Sequence, residues 1–328
     1  MPGTRNAEEI SLRRRFFSKR TLVSFAIAFG IIVFVVLRLD ISLSALWQDL
    51  TQADLLMLLA GFASYYLALP VRAIRWRIIL NNATGKSSDT RMPSLLGLGE
   101  IILLGWLANN IVPARLGDAY RAYLLKKNAA CGFTLTLGTI VAERAIELTV
   151  LVSMFALTAF LALQGRFSGA TTGLIRIGVL LAAAIVVAIL ALWLFGSGLK
   201  RLLPSRAHAI YDVFREGTLG SFRRLPLLVL LTTVIWIMES GRLWFAAQSL
   251  GFPLALDVAI FVALANSLLS AFPLTPAGLG VVEAGVVGLL MVFVTKDQAV
   301  SITVLDRIIS YWSIIFVGLA LFLVTRRK

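Results

Sequence analysis

Residues 258–294 are apolar enough to enter a membrane, yet they are interrupted by Phe272-Pro-Leu-Thr-Pro-Ala-Gly-Leu-Gly-Val-Val-Glu283. Pro273 and Pro276 each lack a backbone donor and clash with the preceding turn, and Gly278 and Gly280 loosen the chain beyond them, so one uninterrupted spanning helix is excluded. In hydrocarbon such backbone survives only where protein covers it or where it lines a cavity. A second stretch has the same plan, Asn109-Asn-Ile-Val-Pro-Ala-Arg-Leu-Gly-Asp-Ala-Tyr-Arg121. Pro113-Ala-Arg-Leu-Gly117 lies on Pro276-Ala-Gly-Leu-Gly280 at an offset of 163, the separation of the two prolines. The same offset carries Glu143-Arg144 onto Asp306-Arg307.

The remaining apolar runs, in a chain of 328 residues with 59% hydrophobic side chains, describe an all-α polytopic membrane protein rather than a soluble globule. A formal charge of +14 raises the question of nucleic acid, but the cations do not form a patch interleaved with aromatics, and no nucleic-acid partner is expected. They mark the cytoplasmic side instead. One cysteine, Cys131, forbids an internal disulfide, and one histidine, His208, leaves no metal constellation; no cofactor is expected.

Arg5, Arg13, Arg14, Arg15, Lys19 and Arg20 precede an apolar run over 22–37, which reads as an uncleaved signal anchor with its tail, 1–20, inside. A second span over 55–69 ends at Val71-Arg-Ala-Ile-Arg-Trp-Arg77, where Trp76 among arginines reads as interfacial. The cations before the apolar stretch 95–112 and those after the first hinge share the inner side, which predicts a re-entrant hairpin. Spans over 133–163, 177–195 and 227–250 come next, then a second hairpin over 258–294 entered from outside, a last span over 300–324, and an inner tail, 326–328. This gives about six full spans and two hairpins within one domain over 21–325, as an inverted repeat of halves 55–199 and 226–325 with both termini cytoplasmic. Of the 31 basic residues only Arg166, Arg176 and Lys296 fall in segments assigned outside.

A charge at the bilayer centre costs about 2.5–3.5 kcal/mol, so charges kept there should be paired or should line a wet cavity. The candidates are Glu100, Glu143, Arg144, Glu147, Glu239, Arg242, Glu283, Asp306 and Arg307. Helical spacing predicts that Glu143 and Glu147 share a face, and that Arg144 pairs with Glu147 and Arg242 with Glu239 on their own helices. Asp306 and Arg307 point about 100° apart and must find partners on other helices. Arginine offers a planar fork for phosphate, and half-helices begun by Pro113 and Pro276 would aim free amides at the same region. Asn109, Asn110 and Thr275 either satisfy freed backbone groups or bind a ligand, and Asp118 and Arg121 form either a gate or an interfacial pair. Fixing helix registry is the competing role for every one of these pairs.

At these residues the chain resembles the lysylphosphatidylglycerol synthase transmembrane-region family, also called flippase-like membrane proteins. The resemblance rests on Asn110-Ile-Val-Pro113-Ala-Arg115-Leu-Gly117-Asp118-Ala-Tyr-Arg121, on Glu143-Arg144, on Pro273-Leu-Thr-Pro276-Ala-Gly278-Leu-Gly280-Val-Val-Glu283, and on Asp306-Arg307 with Tyr311-Trp312. It implies a membrane part that moves an aminoacylated lipid between leaflets, beside a soluble domain that makes that lipid. The longest hydrophilic loop here, over about 196–226, is expected to hold no such domain. Asp118 stands where the family often has glutamate, which keeps the charge.

Three functions stay open on these grounds: a translocase of the bacterial inner membrane for a phosphate-bearing, aminoacylated or glycosylated lipid; an aminoacyl- or glycosyl-lipid transferase; and a scaffold for a lipid synthase. Expected partners are membrane lipids and a separate lipid-modifying synthase. For the first function the substrate-binding set is Asn110, Pro113, Arg115, Asp118, Arg121, Glu143, Arg144, Glu147, Glu239, Arg242, Pro276, Gly278, Gly280, Glu283, Asp306 and Arg307.

Overall fold

A computed structural model describes residues 30, 42–85, 92–111, 116–129, 131–163, 169–201, 204–270 and 278–325. The expected tails, the first span apart from Gly30, and Pro113, Arg115, Pro273, Thr275 and Pro276 lie outside them. Among the described residues every regular element is helical. In chain order these are α1 (Leu43–Thr51), α2 (Leu55–Thr84), α3 (Leu95–Ile111), α4 (Gly117–Ala129), α5 (Phe133–Ala162), α6 (Gly169–Leu194), α7 (Gly196–Arg201), α8 (His208–Gly220), α9 (Leu225–Ser249), α10 (Leu256–Leu269), α11 (Val281–Leu290), α12 (Lys296–Arg307) and α13 (Ser313–Thr325). A π-helical turn, Ile308–Trp312, joins α12 to α13. Among the described residues four stretches are long and apolar enough to cross a membrane: α2, α5, α9 and the continuous Lys296–Thr325.

The centre of the fold is the antiparallel pair α2 and α9. Asp54, which caps α2 by accepting from the Met57 N–H, also donates its own N–H to Ser249 O at 2.7 Å, tying the start of α2 to the end of α9. Midway, Ser64 Oγ donates to Met238 O at 2.6 Å, and at the far end Asn82 Nδ2 donates to Arg223 O at 2.6 Å. The helix therefore does not stop at the basic cluster 71–77, as expected from sequence, but carries it through Pro70 to Thr84.

The two proline-broken stretches both turn back on themselves. α3 and α4 are so close that a Cβ on Gly105 would overlap the Arg121 side chain, and the Gly117 N–H donates to Asn109 Oδ1 at 2.8 Å. α10 and α11 meet where Gly285 faces Leu269. The ends of the bundle can be matched. α5 begins against α8, with Gly138 on the Phe214 carbonyl, and Gly220 at the end of α8 lies on Ala83 near the end of α2. α12 packs against α1, the helix just before α2, for Ser301 Oγ donates to Asp49 Oδ2 at 2.6 Å.

The packing is that of a membrane protein. Large apolar side chains face outward, with Leu56, Leu230 and Phe316 at 71%, 59% and 68% exposure, whereas Arg75 and Glu143 are 1% and 2% exposed. Three apolar clusters, centred on Phe155 and Phe261, on Trp76 and Leu98, and on Tyr65 and Ile309, enclose those charges.

Candidate functional site

Two charged clusters sit between the helices. In the first, Arg72 and Arg75 lie three residues apart on α2, and Glu143 and Glu147 lie four apart on α5, so each pair presents both members to the other helix. Arg75 Nη2 is 2.6 Å from Glu143 Oε1 and 2.5 Å from Glu147 Oε1, and its Nη1 donates to Thr232 Oγ1 at 2.9 Å. Arg72 reaches Glu147 at 2.7 Å and Glu239 at 2.5 Å. Arg121 donates to Glu143 Oε2 at 2.9 Å with its guanidinium over the Trp76 ring, 4.3 Å from the centroid. Arg144 forks onto both oxygens of Asp118, at 3.0 and 2.7 Å, and meets Glu147 at 2.7 Å.

In the second cluster Arg242 forks onto Asp306 at 2.7 and 3.3 Å beneath the Tyr65 ring, and Asn266 Nδ2 donates to the same carboxylate at 3.3 Å. Arg307 Nε lies 2.8 Å from Glu283 Oε1, out of hydrogen-bond alignment, while Glu283 Oε2 accepts the Gly280 N–H at 2.6 Å. The six arginines named here face six carboxylates, Asp118, Glu143, Glu147, Glu239, Glu283 and Asp306, so the clusters are neutral as a whole. Several buried donors of these clusters, Nε of Arg75, Arg121 and Arg307 among them, have no hydrogen-bond partner among the described residues, and two more are Arg307 Nη2 and Asn110 Nδ2. Both adjoin Tyr311, whose hydroxyl donates to Asn110 O at 3.4 Å and which lies in the field of Arg307 and Glu283. The end of α3, before the first break, and the start of α11, after the second, thus meet at one turn of the last span.

The lysylphosphatidylglycerol synthase TM-region profile matches residues 21–318, nearly the whole chain. The chain belongs to this family. Among curated proteins, a UPF0104 membrane protein of Methanocaldococcus jannaschii is 33% identical over 222 residues, covering 67% of this chain and 94% of its own length. Others from Pyrococcus horikoshii and Methanothermobacter thermautotrophicus are 26% and 24% identical, covering 84% and 90% of this chain and 89% and 93% of their own lengths. These relatives are archaeal, so they give the expected bacterial inner membrane no support; the profile and the helices establish a multi-pass membrane protein.

For this member of the lysylphosphatidylglycerol synthase TM-region family, several expectations hold. Glu143 and Glu147 share a face, Arg144 pairs with Glu147, and Asp306 and Arg307 find partners on other helices. Others are corrected. Arg242 does not pair with Glu239 on its own helix, because Asp306 and Arg72 offer each a better-placed partner on α12 and α2. Asp118 and Arg121 do pair, at 3.7 Å, but neither is confined to that pair, for each has a closer partner on α5. Trp76 is no interfacial anchor, for it is fully buried under Arg121. Glu100 is exposed and outside both clusters. Arg72 and Arg75, inner-side cations by sequence, stand instead at the heart of the first cluster. The signal that could have found them is the alignment of Arg75-Trp76 with Arg242-Leu243-Trp244 at an offset of 167. Gly117 and Gly280 both lie at hairpin turns, whereas Gly278 approaches the Val282 side chain.

Proposed function

We propose that this chain is a lipid translocase, and that an anionic headgroup is received where the two broken segments meet. The observation that carries the reading is the pair of buried, unpartnered donors, Arg307 Nη2 and Asn110 Nδ2, beside Tyr311. An unsatisfied buried donor costs about 1–3 kcal/mol, more when it is charged, and a phosphate oxygen would offset that cost for both. A headgroup at Arg307 competes with Glu283, and Glu283 also holds the Gly280 N–H at the start of α11. Loading the site therefore loosens the second hinge, as an alternating device requires.

The two halves act in this reading as an inverted repeat, the arrangement in which paired broken helices line a transporter's central site. Support comes from matched contacts. Arg75–Glu143 and Arg242–Asp306 are the same pair displaced by 167 and 163 residues. Arg144–Asp118 and Arg307–Glu283 each join the next arginine to an acid early in the helix after a break. Arg72 and Glu239, themselves 167 apart, meet across the centre, and Arg75 reaches Thr232 as Arg242 reaches Tyr65. Reciprocal contacts of this kind are what a two-fold relation produces.

The scaffold reading is favoured by the near-complete mutual pairing of these charges, as registry alone would require. Reconstitution decides between them. Liposomes containing the protein and headgroup-labelled anionic, zwitterionic and lysyl-bearing phospholipids should show protein-dependent exchange between leaflets. Asn110→Ala and Arg307→Lys should lower its rate at least several-fold without changing thermal stability. Chemical conversion of a lipid without movement would establish a transferase, and neither movement nor conversion would establish the scaffold.

A further inference from the structure

A second polar site lies away from the charged clusters, where the apolar α6 ends against the amphipathic α8. A cleft of about 280 Å³ there is lined by Trp193, Gly196, Lys200, Tyr211, Asp212 and Arg215. We infer that it holds the phosphate of an anionic phospholipid drawn from the surrounding bilayer.

The cleft contains two cations against one carboxylate, so an anion is attracted to it. Arg215 is fixed in place: its Nε donates to Leu192 O at 3.0 Å and its Nη2 to Trp193 O at 3.4 Å, capping the last turn of α6, while its Nη1 makes no hydrogen bond among the described residues. Gly196 permits this, because a Cβ there would overlap the guanidinium. The Tyr211 hydroxyl is buried without a partner among the described residues, a donor awaiting an acceptor. Lys200 is 2.5 Å from Asp212, but their side chains are 35% and 54% exposed, and so solvated a pair is worth little and exchanges readily for a better anion.

The apolar surroundings identify the ligand as a lipid rather than a free anion. Trp193, Leu194 and Phe195, at 60%, 59% and 64% exposure, and Ile210 at 59%, lie beside the cleft and offer a surface for acyl chains. The apolar run of α6 gives way to Lys200 and Arg201 within a turn or two, the change of character found at the level of the phosphates. Arg206, Arg223 and Arg224 in the same segment add to a field that concentrates anionic lipid, by about 1 kcal/mol for each cation near the surface.

Native mass spectrometry of the full chain, released from detergent after equilibration with dioleoyl phosphatidylglycerol or dioleoyl phosphatidylcholine, tests the assignment. Preferential retention of phosphatidylglycerol is expected, weakened about fivefold or more by Lys200→Gln, less by Tyr211→Phe, and strengthened by Asp212→Asn, which frees Lys200. Arg206→Gln, outside the cleft, should leave it unchanged. Equal retention of the two lipids overturns the site, as does equal phosphatidylglycerol retention by the wild type, Lys200→Gln and Asp212→Asn. Displacement of the lipid by an equal concentration of inorganic phosphate would reassign the cleft to a free anion.

Discussion

Arg75 and Arg307 occupy opposite ends of the range of buried arginines. Arg75 bonds two carboxylates and a hydroxyl, so Arg75→Ala leaves Glu143 and Glu147 with one fewer counter-charge in a region that water does not reach. Breaking a buried pair from one side costs about 3–5 kcal/mol. Thermal unfolding in detergent should show this as a large fall in Tm for Arg75→Ala, a smaller one for Arg75→Lys, and none for the exposed Glu100→Gln. Arg307 has one carboxylate at 2.8 Å and two nitrogens without a hydrogen bond, so Arg307→Lys should be close to wild type in the same assay. The sequence reveals Arg307 and conceals Arg75, for a physical reason. At 1.5 Å per residue, Arg72 lies about 26 Å from the start of α2, near the far edge of a hydrocarbon layer of about 30 Å. Depth alone therefore allows an interfacial cation. Only the packing of α5 and α9 around α2 makes it a buried one, and hydropathy carries no trace of that packing.

Helix breaks are more legible than helix partners, because a proline acts on its own backbone whatever surrounds it. Both hairpins are expected from Pro113 and Pro276, and the described flanks do fold back. The glycines after each proline have different tasks, which spacing does not distinguish. Gly280 has φ 86° and ψ −55°, a conformation that a side chain strains, while Gly117 sits where a Cβ would overlap the Gly105 carbonyl of α3. Gly280→Ala should cost about 1–3 kcal/mol through backbone strain, read as a fall in Tm. Gly117→Ala should push α4 from α3, and Gly105→Ala, which crowds the same contact from the other side, should not add fully to it. Additive losses of stability in the Gly105/Gly117 double variant would refute the shared contact. The π turn at 308–312 has no sequence signature. It carries Tyr311 toward Asn110, and its end brings Ser313 to within 2.8 Å of the Tyr66 hydroxyl, so a junction between the halves depends on it.

At the scale of the whole molecule, the proposed inverted repeat would relate helices as well as motifs at an offset of about 165 residues. α2 and α9 would correspond in that repeat, and they run antiparallel along their length, from the 2.7 Å bond between Asp54 and Ser249 to the contact of Asn82 with Arg223. Phe133 and Lys296, the first residues of α5 and α12, are 163 apart, yet α5 starts near the end of α2 and α12 packs on α1, just ahead of its start. Equivalent helices that enter from opposite ends imply equivalent loops on opposite faces, and this can be read without any lipid assay. Cys131 is buried, and burial pushes its thiol pKa up, so it is a poor target even before it is replaced by serine to give a clean background. In that background Lys127→Cys and Lys296→Cys should label from opposite sides of sealed vesicles, with Lys127→Cys on the side of the carboxy-terminal tail. Charge counting points the same way, since Arg115, Lys126 and Lys127 follow the first break whereas Lys296 is alone after the second. Labelling of both positions from one side would mean that the halves are parallel. The matched pairs Arg75–Glu143 and Arg242–Asp306 would then be two similar registry locks, and the meeting of Asn110 with Arg307 would no longer mark a centre shared by two inverted halves.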